Sequence, residues 1–115
     1  MTDTVYALSA VDKSGRVADR SILRALGWVP DTRLHIREHT GIIVASATTH
    51  GVHCVGEPGY LHLPLAVRRW CRLAAGDRVL LAADRGSGVL MAYPLAVLDR
   101  LLAGVQVAMA GGEAP

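Results

Sequence analysis

Seven cationic side chains fall in two short windows of this chain. Lys13, Arg16, Arg20 and Arg24 lie within residues 12–26, and Arg68, Arg69 and Arg72 within residues 57–72. Only Asp12, Asp19 and Glu57 oppose them there, a balance of +4, while the other five cations and seven acids sum to −2. A guanidinium is a rigid, permanently charged fork whose paired N–H groups match a phosphate or the edge of a guanine. Several of them on one face would position a nucleic-acid duplex electrostatically. A solvated helix face can have the same composition, so the clustering has to be weighed together with what positions it.

Other chemistry is thinner. His50-Gly51-Val52-His53-Cys54 holds metal-capable side chains, with His62 and Cys71 elsewhere, but the second closely spaced ligand pair of a zinc site is missing. On a strand His53 and Cys54 would point to opposite faces. Gly86-Ser87-Gly88 lacks the lysine and following helix of a phosphate loop and reads as a hairpin turn. No Ser/His/Asp grouping sits in a nucleophile-elbow context. The expectation is therefore no enzyme: no catalytic residues, no cofactor and no metal.

The elements that would position the arginines are short. Residues 5–11 suit a strand, Ser14-Gly15 a tight turn, and Arg16-Val17-Ala18 a returning strand. Asp19 is placed to cap a helix carrying Ile22, Leu23 and Leu26 on one side and Arg20 and Arg24, four apart, on another. Gly27 closes it. Arg33-Leu34-His35-Ile36-Arg37 alternates with the period of a half-buried strand, and Thr40-Gly41 turns it into Ile42-Ile43-Val44-Ala45. The second half runs Val52–Val55, Pro58-Gly59, then Tyr60-Leu61-His62-Leu63. Pro64 starts a helix in which Val67, Trp70 and Cys71 face inward. A hairpin follows, Arg78–Ala82 and Val89–Ala92. A third helix, residues 94–103, carries Leu95, Leu98, Leu101 and Leu102 on one side, and residues 104–115 read as a flexible Gly/Ala tail.

The two halves are therefore the same series twice. Val11, Gly15 and Arg24 recur as Val55, Gly59 and Arg68 at an offset of 44, and beyond the helix the register slips by one, so that Arg33-Leu34 answers to Arg78-Val79. Such a repeat changes the unit of folding. Repeat one (5–47) and repeat two (51–93) are half-size units separated by little more than Thr48-Thr49-His50. They are expected to complete one core, with Leu8, Val17, Ile36, Val52, Leu61 and Leu81 in it.

At 115 residues and 51% hydrophobic the chain makes one domain, and with aromatics at 4% and no Phe its interior must be Val, Leu, Ile and Ala. No apolar run approaches the roughly 18 residues of a membrane span, and Met1-Thr2-Asp3-Thr4 lacks the start of a signal peptide, so a cytoplasmic protein is expected. Cys54 and Cys71 fit that compartment as small buried hydrophobes. Eleven of the twelve cations are Arg, a composition that leans toward a GC-rich bacterial genome.

Val11-Asp12-x-x-Gly15-Arg16-Val17, then Leu23-Arg24-x-Leu26-Gly27, a Pro30-containing turn and Arg33-Leu34-x-Ile36, resembles the AbrB/MazE/SpoVT family of swapped-hairpin DNA-binding domains. The second copy, Gly59 through Leu63-Pro64 to Gly76-Asp77-Arg78-Val79, keeps the family's Leu-Pro and Gly-Asp-Arg-Val elements. Together the copies cover about 85 residues. The resemblance implies a mainly β fold with short helices: a swapped-hairpin β-barrel formed by two tandem β-α-β repeats as a pseudo-dimer. It implies a bacterial, sequence-tolerant transcriptional regulator, nucleoid-associated, gripping double-stranded DNA through Lys13, Arg16, Arg20, Arg24, Arg68, Arg69 and Arg72. An antitoxin-like interaction module is the alternative, with helix 94–103 as the contact for a protein partner or a homodimer. Three departures bear on the site. Asp19-Arg20 replaces the family's apolar-Pro pair, Tyr60 stands where Arg16 would recur, and Glu57 where Lys13 would. The DNA face is expected to be lopsided.

Overall fold

The computed structural model describes residues 3–113. The protein is mainly β. Strand β1 (Thr4–Ala10) leads through a turn to helix α1 (Ser21–Leu26), then the hairpin β2 (Arg33–His39) and β3 (Ile42–Ala47). The second half repeats the series with β4 (His53–Cys54), α2 (Leu65–Trp70), β5 (Arg78–Asp84) and β6 (Val89–Pro94), and α3 (Leu95–Glu113) follows directly. The N-cap position of α1 is Arg20, and Asp19, one residue earlier than a cap, still accepts the Ile22 N–H on Oδ1 at 3.1 Å, occupying one of the free donors at the helix start. Gly27 ends that helix in the left-handed conformation, φ 72°, where a side chain would strain the backbone.

All six strands form one open antiparallel sheet in the order β1-β5-β6-β3-β2-β4. The first strand of each half pairs with the hairpin of the other half, and the two hairpins meet at β3 and β6. Exchanging β1 with β4, β2 with β5 and β3 with β6 reverses this order onto itself, so the sheet has a pseudo-two-fold axis between β3 and β6. The registers of the two exchanged pairs obey the same symmetry. Ala10 faces Arg78 and Ser9 faces Val79 in one half; Cys54 faces Arg33 and His53 faces Leu34 in the other. Those are the equivalences that offsets of 44 before the helix and 45 after it require.

On the far side from the sheet's centre the halves meet again. Val17 N–H donates to the Leu61 carbonyl at 2.9 Å and Leu63 N–H to the Gly15 carbonyl at 2.8 Å, with Arg16 bridged to His62. Val17 and Leu61 are themselves equivalents at the offset of 44, so the pseudo-axis emerges between them. Between these two junctions lies a single core that includes Val11, Val17, Ile22, Leu23, Leu34, Ile43, Val55, Leu61, Leu63, Leu81 and Leu90.

Several expectations need correcting. Val17, Ile36, Leu61 and Leu81 are buried, but Leu8 is 53% and Val52 80% exposed. On β1 the inward positions are Val5, Ala7 and Ser9, and buried Ser9 is satisfied because its Oγ accepts the Asp19 N–H at 2.8 Å. Leu8, one residue off, points out with the period of two. Val52 falls short of β4, in a turn where Gly51 lies hard against the Leu34 backbone. Trp70 is 74% exposed, since the inward side of this stretch is taken by Val67 on α2 and by Leu63 and Cys71 flanking it, four residues to either side. Cys54 is exposed as well. Finally, α3 runs well past Ala103 to Glu113, where a tail was expected: its Ala, Val, Gln and Met are adequate helix formers, and only Gly104 interrupts them before Gly111. Among the described residues no helix is long and apolar enough to cross a membrane.

Candidate nucleic-acid interface

The turn after β1 is organised by one carboxylate. Asp12 Oδ1 accepts from the Ser14 N–H (3.0 Å), the Ser14 hydroxyl (2.8 Å) and the Arg16 N–H (2.9 Å), and Asp12 Oδ2 accepts from Arg16 Nε at 2.9 Å. The Arg16 backbone N–H, the Ser14 hydroxyl and the Arg16 side chain hold its carboxyl well below the usual carboxylate range. The loop therefore has a fixed shape, with exposed Lys13 at its tip and Arg16 at its exit.

Gly15 is where this turn touches the other half. Its φ is +92°, and a Cβ built there would lie 2.6 Å from Arg68 Nε and 2.8 Å from the Leu63 carbonyl oxygen. The absent side chain lets the Arg68 guanidinium lie over the turn, where its Nε donates to the Leu63 carbonyl at 2.9 Å. Arg68 is the counterpart of Arg24, yet it is half-buried at the junction while Arg24 stays exposed on α1.

Around Tyr60 the symmetry breaks most clearly. The guanidinium carbons of Arg16 and Arg20 lie 5.4 Å and 5.2 Å from the centroid of its ring. Two like charges thus share one aromatic ring, each attracted by its quadrupole. Arg20 also donates from Nη2 to the Pro58 carbonyl at 3.0 Å, while its buried Nε has no hydrogen-bond partner among the described residues. Arg20 and Arg24 line a cavity of about 190 Å³ with Trp28, Pro58 and Gly59. The fold therefore brings Arg16, Arg20, Arg24 and Arg68 into one succession around the junction of the halves, with Lys13 on the adjoining turn.

Two predicted residues lie apart from that succession. Arg69 is exposed on α2. Arg72, in the left-handed region at φ 55°, lines a different cleft with Arg78, Pro94 and Leu95. Arg85, outside both windows, is paired with Asp3 at 2.6 Å. A surface cleft of about 530 Å³ against Thr32, Arg33, Ala47, Thr48 and Thr49 is lined by none of the seven cations. Cys71 is half-buried with Sγ 3.6 Å from the Gly41 carbonyl oxygen, and burial, aided by the Glu38 charge, pushes its thiol pKa up.

Sequence reasoning missed Tyr60 as part of this site. The sequence shows there only the lost arginine, since nothing local to Tyr60 encodes which arginines of the other half its ring will face. Comparison of the chain with protein-family models, with curated proteins and with solved structures found no match.

Proposed function

We propose that the protein is a bacterial, sequence-tolerant DNA-binding transcriptional regulator, built as a tandem swapped-hairpin unit. The observation that carries the reading is the succession Arg16, Arg20, Arg24 and Arg68 around the junction of the two halves, two of them held by Tyr60 and one by Gly15 and Leu63. Side chains held in place bring less lost freedom to a phosphate contact than free ones do. The strand exchange supports the swapped-hairpin part of the proposal: β1 joins β5, β4 joins β2, and the short junction of Gly15–Val17 with Leu61–Leu63 bridges the side away from β3 and β6. Arg69 and Arg72 serve as outlying phosphate contacts in this reading.

Fluorescence anisotropy with a labelled duplex tests it. Three to five phosphate contacts predict that affinity falls about 40- to 500-fold between ~50 and ~200 mM salt. Binding that ignores salt, or none at the low-salt end, sinks the proposal. The antitoxin-like reading, a protein-interaction module with weak or no DNA binding, is favoured by one observation, the exposed apolar length of α3.

A further inference from the structure

Among the described residues, helix α3 touches the body of the protein only near its start. Val97 is buried and sits against Gly41, where an added Cβ would come within 2.9 Å of Val97 Cγ2. From Asp99 to Ala110 every side chain is exposed. No charged residue occurs from Leu101 to Ala110. A helix so apolar, standing clear of its own core, has no surface in this chain to bury it.

The apolar residues are also ordered. Leu95, Leu98, Leu102, Val105 and Met109 follow one another at spacings of three, four, three and four, the alternation of the a and d positions of a heptad repeat. At 100° per residue this seam is centred roughly 110° around the helix from Val97, so it flanks the contact with the body at Leu95 and half-buried Leu98 and is clear of it from Leu102 onward. Leu95, Leu102, Val105 and Met109 on it are between 41% and 61% exposed. Val107 lies off the seam, on its opposite side.

We propose that this seam pairs with the same seam of a second copy of the chain, two α3 helices packing along a two-fold axis. Three features select that occupant. The heptad spacing fits another helix of the same period better than a sheet or an irregular peptide. The absence of charge over Leu101–Ala110 gives a charged partner nothing to recognise, while self-pairing there brings no like charges together. The seam offers on the order of 450 Å² per copy, about half of the roughly 800 Å² per partner of a standard interface, which fits a reversible dimer and not an obligate one. Two heptads are short for a coiled coil, which points the same way. The inference is independent of the DNA-binding reading, since no residue of the seam belongs to the basic site.

Sedimentation equilibrium of the full chain from about 1 to 200 μM tests it, in the absence of DNA. The expected result is a monomer–dimer equilibrium with a dissociation constant in the range of ~1–100 μM. Leu102→Glu and Met109→Glu, each placing a carboxylate in the seam, raise that constant at least ~10-fold. Val107→Glu, off the seam, leaves it within ~2-fold, and all three keep the parent urea-unfolding midpoint. A chain that remains monomeric at 200 μM overturns the proposal and assigns the helix to a different protein. A dimer that survives Leu102→Glu, or that Val107→Glu breaks equally, overturns it too. So does a dimer abolished by Tyr6→Glu with Leu8→Glu, which places the contact on the outer face of the sheet.

Discussion

Replacing Gly15 with Ala should destabilise the protein far more than the same change at Gly27. Both glycines have positive φ, +92° and +72°, so each substitution carries the left-handed penalty of about 1–2 kcal/mol. At Gly27 nothing lies within 4 Å of the added methyl, and that penalty is the whole cost. At Gly15 the methyl would lie 2.6 Å from Arg68 Nε and 2.8 Å from the Leu63 carbonyl oxygen. The Arg68 side chain can swing away, but it then gives up its 2.9 Å hydrogen bond to Leu63, a charged-donor bond worth about 1.5–3 kcal/mol. The Leu63 carbonyl is backbone and cannot retreat without pulling on the Leu63 N–H to Gly15 O bond that joins the two halves. The sum is about 2.5–5 kcal/mol for Gly15→Ala against about 1–2 for Gly27→Ala. For a chain of this size the difference corresponds to roughly 10 °C in melting temperature. Urea denaturation followed by far-UV circular dichroism measures both variants directly. Equal destabilisation of the two would refute the reasoning, because it would mean that Arg68 and Leu63 do not close over Gly15.

Three further outcomes follow from the same site. Tyr60→Ala should cost about 1–2 kcal/mol through the two lost guanidinium contacts while Tyr60→Phe stays within about 0.5, and a phenylalanine variant as unstable as the alanine one would show that the hydroxyl, not the ring, matters. Asp12 has a depressed pKa when folded, so its contribution is present above its ordinary value of 3.8 and is lost as pH falls below it. The stability gap between the parent and Asp12→Asn should therefore be wide at pH 7 and narrow as pH drops below about 4, and a gap that is flat with pH would contradict the hydrogen-bond pattern of the turn. Replacing Arg16 and Arg24 with Ala should weaken DNA binding by about 1–3 kcal/mol per base-reading contact, less for phosphate alone, whereas replacing Arg85 and Arg100 should leave it nearly unchanged. Equal losses from the two pairs, with folding intact, would show that the binding face lies elsewhere.

What the sequence disclosed and what it hid have physical reasons. The hairpins, Gly27 and Asp19 at the two ends of α1, and the one-residue slip between the halves could be read because turn chemistry and capping are local. The parity of β1 could not. Val5, Ala7 and Ser9 face inward although Tyr6 and Leu8 are the larger hydrophobes, because β1 must align with β5 and Ser9 has Asp19 to satisfy it. Trp70 misled for a similar reason: a helix of one and a half turns has room for few inward positions, and Val67 takes one between Leu63 just before the helix and Cys71 just after it. Of the site, the sequence showed the clustering of the cations in related elements. It did not show that Arg20 reaches Pro58 and Tyr60 in the other half, since nothing local to residue 20 encodes a partner that distant in the chain. The length of α3 was hidden because Ala and Gly together look like a tail, whereas Ala favours helix and the cost of one Gly is only about 1 kcal/mol.

The break at Tyr60 follows from having both halves on one chain. In a symmetric pair of identical units, every side chain at the junction occurs twice, and an arginine at this position would face its own copy across the axis. Like charges brought together there would repel unless a phosphate lay between them. In the tandem chain the two positions are free to differ. Arg16 keeps its charge and its anchor on Asp12, while Tyr60 supplies a ring that accommodates both Arg16 and Arg20. The same freedom lets Arg68 turn in over Gly15 while its counterpart Arg24 stays out in solvent. Positive charge is thereby drawn toward repeat one, with Glu57 in the place of Lys13 thinning it on repeat two. A duplex lying across this surface would meet an unequal pair of half-sites. The sheet registers remain two-fold while the charged junction does not, so the asymmetry resides in side chains that the shared core does not need.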